Sequence, residues 1–197
     1  MSSDTLVVVG AEGVIYPLVS CKVAGDPALM GEALVGISFS TGLSSYRKHG
    51  TASAGTNIWC ADETIALMQG ILSADSPVDV ATCTYPNERV EEVFDTLKLP
   101  EPTAHIPAEH DVGWDDETWF MAQKTAPILN YLRSRKYDRL VWVDTELNRA
   151  YTQQYQALYH TVSELVVVAP EPENGLNTAE IALLHELCGT EEKIYGW

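Results

Sequence analysis

The sequence is poor in basic residues. It has 12 lysines and arginines against 28 aspartates and glutamates over 197 positions, a formal net charge of −16 at pH 7. A surface of this charge repels a phosphate backbone, so the composition argues against nucleic-acid binding. The segment 133–136 is locally basic, and a solvated helix end accounts for it. The acidity promotes solubility and leaves a basic protein partner open.

Long apolar runs are absent as well. No run approaches the roughly 20 residues of a transmembrane helix, and Leu6–Val9 is too short for the apolar region of a secretory signal. We therefore expect a cytoplasmic protein with no membrane partner. The cysteines have no CxxC spacing, which predicts buried thiols rather than disulfides or a zinc site: Cys21, Cys60, Cys83 and Cys188. The histidines likewise show no metal-ligand spacing.

Short apolar runs alternate with segments of helical spacing along most of the chain. The apolar runs predict strands at Leu6–Val9, Val78–Thr82, Leu140–Asp144 and Leu165–Ala169, with a weaker one at Ala104–Ile106. The helical patterns lie at Asp62–Leu72, Asn87–Leu97, Lys124–Arg135, Arg149–Thr161 and Thr178–Leu187. This alternation predicts a single α/β domain over 1–197, three-layered and Rossmann-like, with a mainly parallel sheet covered on both faces.

Residues 14–59 do not fit this alternation. They are rich in glycine, serine and threonine, with a short hairpin predicted around Ala33–Ser40. So long a segment between a first strand and its helix predicts an ordered flap over the site. In parallel sheets, ligand sites lie beyond the carboxyl ends of the strands. That rule selects Gly10–Gly13, Thr82–Thr84, Asp144–Glu146 and Pro170–Asn174.

Five segments in order carry a family resemblance. VVVGAEGVIYP resembles a strand followed by Asp–x–Asp–Gly–Val, and VDVATCTYPNERVEEVFDTLKLP a strand ending in Thr or Ser before a helix and a Leu-Pro turn. Lys124 stands where a motif lysine precedes the fourth strand. RLVWVDTEL resembles Trp–x–Asp–Asp–Glu–Leu, and LVVVAPEPENGLNTAEIALLHEL a closing strand, turn and helix. Together they resemble the haloacid dehalogenase (HAD) superfamily of phosphohydrolases, in a small type of actinobacteria and their phages without a large cap domain.

The resemblance implies a five-stranded sheet in the order 3-2-1-4-5 and a chemistry of carboxylates. In active members the first motif aspartate attacks phosphorus and binds Mg²⁺, and the second is general acid and base. The Thr or Ser and the Lys hold phosphoryl oxygens, and carboxylates of the fourth motif complete the metal shell. A carboxylate nucleophile divides a difficult step into two, and the metal and lysine neutralise charge on the transferred group.

The motif positions of this chain depart from that chemistry at three places. Gly10 occupies the nucleophile position, and without a side chain it neither attacks phosphorus nor binds metal. Glu12 occupies the acid/base position with one more methylene, a displacement of about 1 Å that can reduce the rate about 100-fold. Thr145 replaces a carboxylate of the fourth motif. The resemblance therefore implies a degenerate catalytic centre.

Three other positions keep the expected residue type, each with an alternative interpretation. Thr82 and Lys124 form the expected remnant of a phosphate site. The threonine alternatively bonds backbone, and the lysine alternatively forms a surface ion pair near Asp116 and Glu117. Asp144 ends a buried strand, where an unpaired carboxylate is costly, so we expect a partner or a cation beside it.

Three functions are compatible with these residues. The leading hypothesis is a catalytically inactive HAD-like protein, a pseudophosphatase that binds a protein or a small phosphorylated ligand, with at most weak Mg²⁺ binding at Asp144. The second is a divalent-metal-dependent phosphohydrolase in which Glu12, Asp144 and Glu146 surround a cation that activates water. The third is an acidic interaction module. Three tyrosines of helical spacing line either its interface or, as the spacing favours, a packed helix face: Tyr151, Tyr155 and Tyr159.

Overall fold

A computed structural model describes residues 4–11, 13–16, 46–51, 57–85, 90–109, 119–147, 155–172 and 174–190. The strands in these ranges are β1 Thr5–Val9, β2 Tyr46–Thr51, β3 Asn57–Ala61, β4 Asp79–Thr84, β5 Ala104–Pro107, β6 Arg139–Val143 and β7 Glu164–Val168. The helices are α1 Asp62–Ile71, α2 Val90–Leu97, α3 Trp119–Ser134, α4 Gln156–Tyr159 and α5 Thr178–Cys188. The first part of the helix predicted at Arg149–Thr161 lies outside the described residues.

The main sheet has five strands in the order β5-β4-β1-β6-β7. Every neighbouring pair in it is parallel, and β1 lies at the centre between β4 and β6. The predicted strand order and the parallel sheet are confirmed. Observed strand ends differ from the prediction by up to two residues, most notably in β4, which continues past Thr82 to Thr84.

The sheet is covered on both faces because alternate side chains of β1 enter two different apolar cores. Val7 and Val9 pack in the core that holds the buried residues of α1, α2 and α5. Leu6 and Val8 pack in the other core, with the buried residues of α3 and α4. Leu6–Val9 are at most 2% exposed, which is why the strand reads as a continuous apolar run. The predicted three-layer arrangement is confirmed.

The helix α5 begins at Thr178, as the sequence pattern predicts, and its N-cap residue is Asn177. Its side chain accepts a hydrogen bond from the Glu180 amide (2.9 Å), and the Glu180 carboxylate accepts one from the Asn177 amide (2.9 Å). This reciprocal capping box satisfies two amide donors that the first helical turn leaves without partners. Thr178 is therefore already inside the helix.

An antiparallel hairpin, β2–β3, lies between β1 and α1, with β2 inside the segment 14–59 and β3 extending two residues past it. The hairpin predicted at Ala33–Ser40 falls outside the described residues. The Cys60 thiol of β3 donates a hydrogen bond to the Ile15 carbonyl (2.9 Å), which ties the hairpin to the loop after β1. That this segment forms a flap over the strand ends stays a prediction.

The cysteines within the described residues are buried thiols outside disulfides, as predicted: Cys60, Cys83 and Cys188. Cys21 lies outside those residues. None of the helices described is long and apolar enough to cross a membrane.

Candidate functional site at the carboxyl edge of the sheet

Gly10 and Asp144 follow the two central strands, β1 and β6, and lie against each other. The Gly10 amide donates to the Val143 carbonyl (2.8 Å) and the Asp144 amide to the Val168 carbonyl (3.1 Å), so hydrogen bonding continues one residue beyond the strands. A Cβ atom added to Gly10 would lie 2.8 Å from Oδ2 and 3.0 Å from Cγ of Asp144. The Asp144 carboxylate therefore fills the space in which a side chain at position 10 would begin.

Lys124 of α3 reaches the same carboxylate from the helix that covers this face. Its Nζ lies 2.8 Å from Asp144 Oδ2 and 2.7 Å from Glu146 Oε2. Lys124 is only 4% exposed and Asp144 only 1%. The alternative of a surface ion pair for Lys124 is therefore wrong, and Asp116 and Glu117 lie outside the described residues. The sequence predicts a partner or a cation beside Asp144, and Lys124 is such a partner.

Both oxygens of Asp144 have partners within the protein. Oδ2 accepts from Lys124 Nζ, and Oδ1 accepts from the amide of Glu146 (3.0 Å), two residues further along the chain. Burial raises the pKa of the Asp144 carboxyl, although Lys124 and the Glu146 amide oppose this shift. Burial lowers the pKa of the Lys124 ammonium, but the two carboxylates outweigh it and raise that pKa well above its usual value. The lysine therefore stays charged at any physiological pH.

Tyr85, the residue directly after β4, completes the cluster. Its hydroxyl donates to Glu146 Oε2 (3.3 Å), and its ring centroid lies 5.0 Å from Lys124 Nζ, within cation–π range. Burial raises the pKa of the Tyr85 phenol, and the charge of Glu146 adds to the rise. The phenol therefore remains neutral and keeps its donor hydrogen.

Three of the strand-end segments selected from the sequence meet at Gly13. This residue has φ +70°, and a Cβ atom on it would lie 2.6 Å from Thr145 Cγ2 and 3.0 Å from Pro172 Cα. Its amide donates to the Tyr16 carbonyl (2.8 Å), closing the turn after β1. The loops after β1, β6 and β7 thus touch at one point, and Tyr85 brings in the segment after β4. Glu12 lies outside the described residues.

We predict that Gly13→Ala destabilises the protein by about 1–3 kcal/mol, because it adds strain at positive φ and a clash with backbone. The free energy of unfolding, measured by urea denaturation, tests this. The matched control is Gly70→Ala in α1, where a Cβ atom meets nothing closer than Thr190 at 3.8 Å. That change should instead stabilise the protein by about 0.5–1 kcal/mol. Equal effects at the two glycines would contradict the prediction.

Thr82 lies away from the end of its strand. It is fully buried, and its hydroxyl is 2.7 Å from Nδ1 of His105 on the neighbouring strand β5. The Thr82 hydroxyl therefore has an imidazole as its hydrogen-bond partner, rather than the backbone partner of the alternative interpretation. Thr84 is the last residue of β4. A role of Thr82 in phosphate binding stays a prediction.

The comparisons with known proteins concern the fold. No protein-family model and no curated protein matches the chain. Among solved structures, the HAD domain of effector protein Lem4 from Legionella pneumophila superposes with a TM-score of 0.55 over 95% of this chain and 96% of that chain. This chain has a HAD-like fold. The sequence identity is 10%, so the likeness shows the fold and leaves the chemistry to be argued from the site itself.

The HAD-like fold raises the question of Mg²⁺, which the family resemblance implies at this edge of the sheet. Mg²⁺ needs several oxygen ligands in nearly octahedral geometry. Gly10 supplies no side-chain oxygen, and both Asp144 oxygens are engaged by Lys124 and the Glu146 amide. Over the described ranges, no three histidine, cysteine, aspartate or glutamate side chains are grouped so as to hold a metal ion. The residues that the structure describes therefore do not fit a Mg²⁺ ion.

Proposed function

We propose that the protein is a catalytically inactive HAD-like protein, a pseudophosphatase scaffold that acts by binding a protein or a small phosphorylated ligand. The observation that carries this proposal is the contact between Gly10 and Asp144. An aspartyl-phosphate mechanism needs a carboxylate at position 10. This chain has no side chain there, and the carboxylate of Asp144 occupies the space such a side chain would enter.

The alternative of a metal-dependent hydrolase with altered chemistry is less well supported. It requires Glu12, Asp144 and Glu146 to hold a cation that activates water. Lys124 already binds an oxygen of Asp144 and one of Glu146, at 2.8 and 2.7 Å. A cation bound through these oxygens would have to displace the ammonium, and breaking a buried ion pair is costly.

One of the three tyrosines of the third hypothesis is buried and does not form an interface. Tyr155 is only 3% exposed and packs edge-to-face on Trp142 with ring centroids 6.1 Å apart, so it belongs to the core. Tyr159 is 50% exposed. Tyr151 lies outside the described residues.

The proposal predicts that the wild-type protein hydrolyses an aryl phosphate no faster with Mg²⁺ than without it. The matched control is Asp144→Asn, which removes the carboxylate charge at nearly constant volume. Both proteins should show the same background rate over a range of Mg²⁺ concentrations, with folding verified by circular dichroism. Mg²⁺-dependent turnover by the wild type that disappears in Asp144→Asn would overturn the proposal and favour the hydrolase alternative.

A further inference from the structure

The ammonium of Lys124 supplies the positive charge that a bound metal ion would bring to these carboxylates. It lies within 2.8 Å of carboxylate oxygens from two different residues, Asp144 and Glu146. Lys124 and Asp144 are both almost completely buried. Two carboxylates held this close repel each other unless a positive charge lies between them. In this chain the positive charge is covalently attached through α3 and needs no ion from solution.

A divalent ion and the ammonium compete for the same oxygen atoms. A metal ion binding Asp144 Oδ2 and Glu146 Oε2 would have to sit against a positive charge or displace it. Displacement would move the buried Lys124 side chain and would also break the cation–π contact between its ammonium and the Tyr85 ring.

We propose that Lys124 is a built-in cation that excludes divalent metal ions from the carboxylates of Asp144 and Glu146. Removing the ammonium converts these carboxylates into a divalent-cation site. The inference goes beyond the proposed lack of catalysis, because it concerns which ions the site accepts. A metal-free hydrolase would overturn the proposed function and leave this inference intact. An inactive wild-type protein that binds metal at Asp144 would do the reverse.

The test is an Mn²⁺ titration followed by electron paramagnetic resonance, since Mn²⁺ uses the same oxygen ligands as Mg²⁺. Wild-type protein should show no saturable binding dependent on Asp144. Lys124→Ala removes the charge and opens the volume of the side chain. It should bind Mn²⁺ at least about tenfold more tightly than the wild type, which corresponds to about 1.4 kcal/mol. Adding Asp144→Asn to Lys124→Ala should abolish the gain.

Lys124→Arg is the matched control, because it keeps a positive charge on the same backbone position and should remain insensitive to Mn²⁺. Saturable Mn²⁺ binding by the wild type that Asp144→Asn removes would overturn the inference. So would a folded Lys124→Ala variant that binds no better than the wild type. If Lys124→Ala does not fold, Lys124→Gln, which keeps a long side chain without the charge, is judged by the same two criteria.

Discussion

Replacing Lys124 with methionine should destabilise the protein by about 3–5 kcal/mol, the range typical for removing one partner of a buried ion pair. Methionine keeps the length of the side chain and removes the ammonium, so the loss is mainly electrostatic. Asp144, which is 1% exposed, would then lose the ammonium on Oδ2 and keep the Glu146 amide on Oδ1. Urea denaturation at pH 7 gives the free energy of unfolding for the comparison.

The matched control is the surface pair between Arg139 and Glu164 on the neighbouring strands β6 and β7. Its Nε–Oε2 distance is 2.6 Å, and the side chains are 36% and 49% exposed. Exposed pairs contribute at most about 1 kcal/mol, so Arg139→Met should have a small effect. If both methionine variants lost the same amount of stability, Lys124 would not be a buried counter-charge.

The stability deficit of Lys124→Met should depend on pH. Burial raises the pKa of Asp144 in the folded protein, and Lys124 opposes that rise. In the variant the opposition is gone, so the folded-state pKa moves further above the unfolded value of about 3.9. The folded variant then binds a proton more tightly than the unfolded chain, and its stability relative to wild type recovers as the pH falls below that raised pKa. A deficit that does not shrink anywhere between pH 7 and the unfolded pKa of about 3.9 would contradict this explanation.

The sequence contains enough information for the sheet and only part of the site. The parallel sheet follows from apolar runs and helices that alternate along the chain, which are local signals, whereas the strand order rests on the family resemblance as well. The lysine position was also recognisable, but its burial was not. α3 begins at Trp119, five residues before Lys124, so the lysine is inside the helix rather than at its exposed start. Partners such as Asp144 come from a distant strand, and no local pattern specifies such a contact.

Tyr85 was missed for a related reason. The predicted strand ended at Thr82, whereas β4 continues to Thr84 and places Tyr85 directly at the edge of the sheet. The run Asp79–Thr84 keeps β-favouring residues to its end, and that signal could have extended the strand. The hydrogen bond from Tyr85 to Glu146 spans 61 residues and is visible only in the folded chain.

Introducing a carboxylate at position 10 should lower the stability of the protein more than introducing a methyl group there. Gly10→Ala places a Cβ atom 2.8 Å from Asp144 Oδ2, and such overpacking typically costs about 1–3 kcal/mol. Gly10→Asp adds a second negative charge against the buried carboxylate, which disfavours the charged form of both groups. We therefore expect the free energy of unfolding to fall in the order wild type, Gly10→Ala, Gly10→Asp.

A double variant tests whether position 10 and Asp144 compete for one place beside Lys124. In Gly10→Asp/Asp144→Ala the carboxylate is moved from the residue after β6 to the residue after β1, next to the space where Asp144 Oδ2 now lies. The double variant should be more stable than the sum of the single changes predicts, by about 0.5–3 kcal/mol, as for residues in direct contact. Gly10→Asp combined with Glu164→Gln, at the opposite end of the strands, should be additive. Strict additivity in both pairs would mean that the two carboxylates do not exclude each other. A favourable coupling in the first pair alone would show that a carboxylate at position 10 and the carboxylate of Asp144 compete for one place beside the Lys124 ammonium.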